Sequence, residues 1–459
     1  MYSRLLDIAR AIEGNIIQGR PDIEITGVSL NSRRSGHGDV FFALKGDRHD
    51  GHDFVPEALR NGALAAVVSR PVSLPQGLGE RGLILVRDVK KALQMLARWH
   101  RQRFKLHLVG VTGSVGKTTT KDLTATCLEA RFQTLKTEGN YNNEIGVPLT
   151  LLRLDHRYEA CVVEMAMRNL GEIEELASIA LPTCGIIVNV EPVHLENLGS
   201  MERIAQAKCE LFKYVDERGF VAINGDNPLL VEAAEKYAVK KVRFGWGANC
   251  DDRLLDVNSS SEETRIKASL AGQAAEFCLP FPGSHLAYNV IAAAGVAVRL
   301  GVDLADIQSK IRSFSPSSRR LNIKTGLGGI TIIDDCYNAN PVSMKAGLEV
   351  LSDVAAGRYR VAVLGDMYEL GSYEVQGHRE VGYKAAELGV ERLVTVGELA
   401  RHIGEAAKEA GLDKERILHF SDKELAIAYL KSDLPAEAVV LIKASRGMHM
   451  EDIVQELEV

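Results

Sequence analysis

Cysteine is scarce and scattered in this chain, seven residues in 459 at positions 127, 161, 184, 209, 250, 278 and 336, with no Cys-x-x-Cys pair. That spacing supports neither a zinc knuckle nor a disulfide framework, and such single cysteines read as reduced, mostly buried small hydrophobes. Long apolar runs are missing too. Nowhere do 18 apolar residues stand together, so no membrane insertion is expected, and the opening MYSRLLDIARAIEGN carries acids where a secretory signal has an unbroken apolar core. A cytoplasmic location is the expectation. Nor is there an excess of basic charge: 55 Lys and Arg face 61 Asp and Glu, a formal net charge of −6. With no global attraction for nucleic-acid phosphates or anionic lipid, no nucleic-acid partner is expected. Short-period repeats and low-complexity tracts are also absent, which removes solenoids and disordered tails.

What is present is ordinary for a folded enzyme, 46% apolar and 25% charged residues. At roughly 150 residues per domain, the length suggests about three domains. Residues 1–105 read as a small mixed α/β unit, with a helical opening, strand candidates at 23–30, 40–44, 65–69 and 83–86, and an amphipathic run at 90–103. In residues 106–315, LHLVGVTG, ACVVEMA, CGIIVNVEP and GFVAINGD each look like a buried strand ending in a polar residue, separated by helix-length segments. That alternation predicts a doubly wound, mostly parallel sheet whose ligand sites gather at the strands' carboxyl ends. Lys117, Glu164, His194 and Asp226 thereby become candidates before any motif is invoked. Residues 316–459 repeat the pattern with GITIIDDCYNANP, YRVAVLGDM, ERLVTVG and AVVLIKASRG, a second and smaller Rossmann-like unit without a G-x-G-x-x-G fingerprint. SFSPSSRR reads as the linker between them, and GLGGI at 326–330 as a hairpin turn.

The sharpest local signal is GVTGSVGKTTTKDLTATCL at 110–128: an apolar strand, a glycine-containing turn, then Lys-Thr-Thr opening a helix. Such a turn offers backbone N–H groups and a helix N-terminus to phosphates, while Lys117 reaches the terminal phosphates and Thr118 can ligate magnesium. The strict G-x-x-x-x-G-K-[ST] pattern asks for glycine at 111, where this chain has Val111. No Asn-Lys-x-Asp is present to read guanine, and Glu164 closes the next strong strand, which favours ATP with a carboxylate near magnesium. Lys208 lies in MERIAQAKCELF, where Ile204, Leu211 and Phe212 share its helical face. It is either a lysine that snorkels to water or a desolvated amine of depressed pKa open to modification. Asp334 and Asp335 end an apolar strand and suit nucleotide or metal contacts as well as a turn. No nucleophile elbow and no Ser/His/Asp set appears, so acyl-enzyme hydrolysis is unsupported.

Taken together, NSRRSGHGDVFFALKGDRHDGHDF, GVTGSVGKTTTK, GNYNNEIGVPLTLL, VVEMAMRNLGEI, HLENLGS, DDCYNANPVSM and LGDMYELG resemble the Mur ligases of bacterial cell-wall synthesis over essentially the whole chain. NYNNEIGVP, CYNANP and GDMYELG look like the branch that adds D-alanyl-D-alanine. The resemblance implies a three-domain, ADP-forming amide ligase that phosphorylates the terminal carboxylate of a UDP-N-acetylmuramoyl-tripeptide and passes the acyl group to D-alanyl-D-alanine. It implies ATP held by Gly113, Ser114, Val115, Gly116, Lys117, Thr118 and Thr119, with Asn289, Arg320 and Asp335 as further contacts. It implies two magnesium ions near Thr118, Glu164 and His194, with Lys208 carbamylated. Ser32 and Arg33, with Lys45, Gly46, Asp50, Gly51 and His52, would lie by the uridine nucleotide, and Asn142 and Asn143 by the muramoyl peptide. The dipeptide would arrive near Asn338, Asn340 and Arg446. Ala166 departs from the glycine common in relatives. The family reading further implies a monomer whose third domain closes over the second; a sister ligase, a folylpolyglutamate synthase and a nucleotide-gated switch are the alternatives.

Overall fold

The computed structural model describes residues 1–193, 195–316 and 321–459, so the expectations for His194 and Arg320 lie outside the described residues. Among the described residues, three sheets organise the chain in sequence order, beside a two-stranded ribbon of Ser3–Arg4 and Glu24–Ile25.

The first sheet runs in the order Asn15–Gln18, Gly82–Leu85, Ala65–Val68, Asp39–Phe42, Gly27–Ser29. Three of the four expected strands appear within two residues of their anticipated limits. The fourth, 23–30, is divided: Glu24–Ile25 pairs in the ribbon, while Gly27–Ser29 joins the main sheet beside Asp39–Phe42. The edge strand Asn15–Gln18 was not anticipated, because only alternate residues of NIIQ are half-buried and its apolar signal is weak. Helix Val89–Arg101, capped by Asp88, which accepts from the Lys91 N–H at 3.0 Å, then leads into the central sheet.

The central sheet has nine strands in the order Gln273–Leu279, Thr264–Leu270, Asp252–Ser259, Lys240–Gly245, Phe220–Asn224, Cys184–Ile187, His107–Thr112, Ala160–Glu164, Thr134–Lys136. Its parallel part is covered on both faces, which explains the unbroken apolar strands. Leu108, Cys161 and Val163 point into one core, and Val109, Val111 and Val162 into the other. The chain leaves His107–Thr112 first to one side and then to the other, so this strand marks the topological switch point, where such sheets bind ligands. Asp252–Ser259, Thr264–Leu270 and Gln273–Leu279 form an antiparallel meander at one edge. The sequence expectation of parallel strands and helices did not include it, since half-exposed alternating strands lack the continuous apolar runs on which that reading relied.

The third sheet runs Asn322–Thr325, Thr331–Asp334, Val439–Lys443, Arg360–Gly365, Arg392–Val396, Ile417–Phe420. All four expected strands are present and mutually parallel. Asn322–Thr325 and Thr331–Asp334 form an antiparallel hairpin, and the glycine-rich 326–330 is its turn, as the sequence suggested.

Candidate active site

Between the carboxyl ends of the central and third sheets lies a cavity of about 1310 Å³. Its central wall is the turn between His107–Thr112 and helix Lys117–Leu128. Val111, the departure from the strict motif, pairs with Glu164 and Ile186 inside the sheet and is fully buried. A glycine there would serve no turn, because the chain bends only after Thr112. Gly116 does need its identity: its φ is +81°, and an added Cβ would stand 2.6 Å from Asn289 Nδ2.

Asn189 Oδ1 accepts from the Ser114 and Val115 N–H groups at 3.1 and 2.9 Å, and Ser114 Oγ donates to the Glu191 carbonyl at 3.0 Å. Lys117 Nζ folds back on the Gly113 and Ser114 carbonyls, at 2.8 and 3.0 Å. Asn289 Nδ2 donates to Thr120 Oγ1 at 2.7 Å, so this expected nucleotide contact also braces the helix behind the loop. Ser114, Val115, Gly116, Lys117, Thr118 and Thr119 all line the cavity; Gly113 does not.

Glu164, 2% exposed, closes its strand against the same space. Its Oε1 accepts from Asn142 Nδ2 at 2.8 Å, while Oε2 is buried with no hydrogen-bond partner among the described residues. An orphaned carboxylate oxygen beside a phosphate-type loop is a donor set that fits a hard cation such as magnesium. Among the described residues no cluster of three or more His, Cys, Asp or Glu side chains forms a ready metal cage. Magnesium held mainly by substrate phosphates and one or two carboxylates does not require one.

Lys208, in helix Met201–Cys209, is 1% exposed. Burial pushes its pKa well below the ordinary lysine range, and the charge of Lys117 lowers it further. Of the two sequence readings, the snorkelling one is therefore wrong: the amine is desolvated rather than in water. Asp226, a strand-end candidate, is a loop tie, accepting from the Trp246 N–H at 2.7 Å and the Tyr288 hydroxyl at 2.9 Å.

The opposite wall comes from the third sheet. Asp335 accepts from Lys443 Nζ at 2.5 Å, and the same ammonium donates to the Asn338 carbonyl at 2.9 Å. Asn340 caps helix Pro341–Ala355 through the Ser343 N–H at 2.9 Å, which occupies its side-chain oxygen. Arg446 pairs with Glu451 at 2.6 Å. Asn142, Asn143, Asp335, Asn338, Asn340 and Arg446 all line the cavity. Arg168 and Glu369, 3.4 Å apart, join the two walls.

The N-terminal candidates stand apart from this cavity. Ser32 Oγ donates to Glu57 at 2.6 Å, and the Arg33 N–H is held by Asn31 at 3.0 Å. Lys45 and Asp50 bridge a tight loop in which the Gly46 N–H donates to the His49 carbonyl at 2.9 Å. Gly51 crosses so close that a Cβ would lie 2.4 Å from the Leu44 carbonyl oxygen. Asp50 is held down to about 2 by the backbone N–H and ring of His52 and by Arg70. His52 Nε2 in turn accepts from the Ser69 N–H at 2.9 Å.

Sequence reasoning missed Lys443, Glu191 and His285. Lys443 ends the wholly buried strand VVLIK, so the strand-end rule that selected Lys117 and Glu164 could have found it. Burial raises the Glu191 carboxyl, with Lys345 opposing, and lowers His285 to about 4. Both side chains line the cavity, a fact that no sequence signal carries.

Models of one family match all three parts of the chain: the Mur ligase family, catalytic domain, over residues 24–103; the Mur ligase middle domain over 111–297; and the Mur ligase, glutamate ligase domain, over 319–446. A UDP-N-acetylmuramoyl-tripeptide--D-alanyl-D-alanine ligase from Bacillus subtilis is 35% identical over 454 residues, covering 98% of this chain and 97% of its own. The chain belongs to the Mur ligase family. Among solved structures, MurF from Acinetobacter baumannii matches this Mur ligase with a TM-score of 0.90 at 30% identity, covering 100% of this chain and 99% of that one. A MurF ligase from Thermotoga maritima in complex with ADP gives 0.79 at 32% identity, with 94% and 96% covered. Among the described residues of this Mur ligase, no helix is long and apolar enough to cross a membrane.

Proposed function

We propose that this Mur ligase joins D-alanyl-D-alanine to UDP-N-acetylmuramoyl-tripeptide at the expense of ATP, releasing ADP and phosphate. The observation that supports this most strongly is the single cavity lined both by the phosphate-type loop and by Asp335, Asn338 and Arg446 of the third sheet. A ligase that passes an activated acyl group to an amine needs its nucleotide and acceptor in one enclosed space, whereas a hydrolytic switch does not.

In this reading residues 1–105 hold the uridine nucleotide, through the turn at Ser32 and Arg33 and the loop at 45–52. Residues 106–315 hold ATP, and residues 316–459 close on it and bring the dipeptide. Lys117 leaves the Gly113 and Ser114 carbonyls to neutralise the terminal phosphates, and the loop's N–H groups turn from Asn189 to phosphate oxygens. The tripeptide's terminal carboxylate attacks the γ-phosphorus and ADP leaves. The dipeptide amine then adds to the acyl carbon, loses a proton, and phosphate departs. No protein nucleophile is required, which suits the absence of a triad.

Thr118, Glu164 and Lys208 as a carbamate, with His194, would hold two magnesium ions. Bound there, magnesium supplies charge neutralisation for the phosphate oxygens. The neutral Lys208 amine attacks carbon dioxide and releases a proton, which turns a buried neutral amine into an anion suited to a metal site. Asn289 and Asp335 would face the nucleotide, Asn143 the muramoyl peptide, and Asn338, Asn340 and Arg446 the dipeptide. We read the enzyme as a cytoplasmic monomer, as its likeness to the family implies.

The test is ADP release from ATP, magnesium and UDP-muramoyl tripeptide, with and without D-alanyl-D-alanine, followed by mass spectrometry. Release that depends on the dipeptide and yields a UDP-pentapeptide mass is expected. Release without it, or better turnover with a single amino acid, moves the chain to another branch of the family.

A further inference from the structure

The geometry around Glu164 assigns Asn142 a task different from the substrate contact suggested by its motif. We propose that Asn142 is the positioning residue for the Glu164 carboxylate, fixing which of its oxygens is presented to a cation; this rests on the reading of Glu164 as a metal ligand.

Asn142 Nδ2 lies 2.8 Å from Glu164 Oε1. An ionised carboxylate only accepts hydrogen bonds, so the amide must present its NH₂ here; the flipped amide would set oxygen against oxygen. With one lone pair of Oε1 engaged by a neutral donor, coordination is directed towards Oε2, which is buried and has no partner among the described residues. A carboxylate in which both oxygens were free could rotate, or bind in a bidentate manner. Here one orientation is selected before any cation arrives.

The backbone makes the contact rigid. The Asn142 carbonyl accepts from the Ala166 N–H at 2.9 Å, so the loop is pinned two residues beyond Glu164. The Glu164 N–H donates to Thr137 Oγ1 at 3.1 Å, and the Thr137 carbonyl accepts from the buried Lys121 Nζ at 2.9 Å. Segment 137–142 therefore grips the strand end at its backbone on both sides of Glu164 and at its carboxylate. The Asn142 side chain is the element of that grip which touches the carboxylate, and its role is to hold the metal ligand's geometry.

The test is titration of the full-length protein with Mn²⁺ in the presence of ADP, read by electron paramagnetic resonance. Asn142→Leu keeps the side chain's bulk and removes the donor. Asn142→Ala serves if the first variant fails to fold, as judged by circular dichroism and melting. Either variant is expected to raise the Mn²⁺ dissociation constant about 10-fold, the effect typical of removing an outer-shell partner. Affinity for UDP-muramoyl tripeptide, measured without metal, is expected to stay within about twofold, a split that a general structural defect does not produce. Glu164→Ala is the reference. If Glu164→Ala weakens Mn²⁺ binding and the Asn142 variants do not, the positioning role is wrong and Glu164 remains a ligand. If the Asn142 variants lose the tripeptide and keep Mn²⁺, Asn142 is a substrate contact. If Glu164→Ala itself leaves Mn²⁺ binding unchanged, the reading of Glu164 fails and the positioning role falls with it.

Discussion

Replacing Lys208 by methionine should make the protein more stable and inactive at once. The side chain is 1% exposed, and burial drives its pKa well below the ordinary range. Methionine has similar length and no amine to desolvate, so about 1–3 kcal/mol of the cost of a buried polar group should be recovered near pH 7. The pH dependence has a definite sign. In the unfolded chain Lys208 binds its proton up to a pH of about 10.4, whereas in the folded chain it releases it far lower, so between those values the unfolded state binds more protons. Wild-type stability therefore rises with pH across that window, and the advantage of Lys208→Met shrinks as pH approaches the unfolded value. Urea unfolding in carbon-dioxide-free buffer, pH 7 to 10, measures this. Of the two tryptophans, Trp246 adjoins the central sheet, and a Trp99→Phe background leaves it as the single reporter. A methionine variant no more stable than wild type at pH 7, or a gap that does not close with pH, refutes the desolvation reasoning. Lys208→Ala addresses the carbamate separately. It leaves a hole of roughly 80 Å³, costing about 2 kcal/mol at 24 cal/mol per Å³ and offsetting the gain from losing the amine. The hole admits a small acid, so near-total loss of ADP release with partial rescue by acetate or formate is expected. Full activity without rescue excludes the carbamate.

Gly116→Ala must adopt a left-handed conformation at about 1–2 kcal/mol and push Asn289 Nδ2 off Thr120, where it now sits at 2.7 Å. ADP affinity should fall about 10-fold or more, by calorimetric titration, for a combined loss above 1.4 kcal/mol; affinity within twofold of wild type would reject the close contact. His100 donates through Nε2 to the Leu154 carbonyl at 2.9 Å, while its buried Nδ1 has no partner among the described residues, and burial lowers its pKa to about 4. Between about 4 and the ordinary 6.5 the unfolded state binds the extra proton, so stability falls as pH drops through that window, by at most about 3 kcal/mol. His100→Phe should flatten the urea midpoint against pH over this range; equal slopes in both proteins would deny the role.

Much of the architecture could be read directly from the residues. Strands covered on both faces must be continuously apolar, and so ACVVE, CGII, RVAVLG and VVLIK were visible, together with Glu164 at the end of the first, whereas Lys443 at the end of the last was passed over. Strands that went unread, among them Asn15–Gln18, Thr134–Lys136, Lys240–Gly245, the meander from Asp252 to Leu279, and Ile417–Phe420, are partly exposed, and partners elsewhere in the chain decide their pairing. The glycine-lysine turn was legible because its conformational demands are local. Asn142 was not fully legible, because its motif names it without saying whether the amide faces a ligand or Glu164.

By itself, then, the sequence determined what depends on neighbours along the chain: the alternation of strand and helix, the phosphate-type turn, the apolar stripe that carries Lys208, and membership of a ligase family. Tertiary structure decided what depends on residues far apart in sequence. Burial on every side made Lys208 a desolvated amine, Lys443 was joined to Asp335 across 108 residues, and one oxygen of Glu164 was left without a partner among the described residues while the other was tied down. Burial and electrostatic coupling belong to the packed whole, because the dielectric surroundings and the opposing groups of each side chain come from elements that a local pattern does not contain.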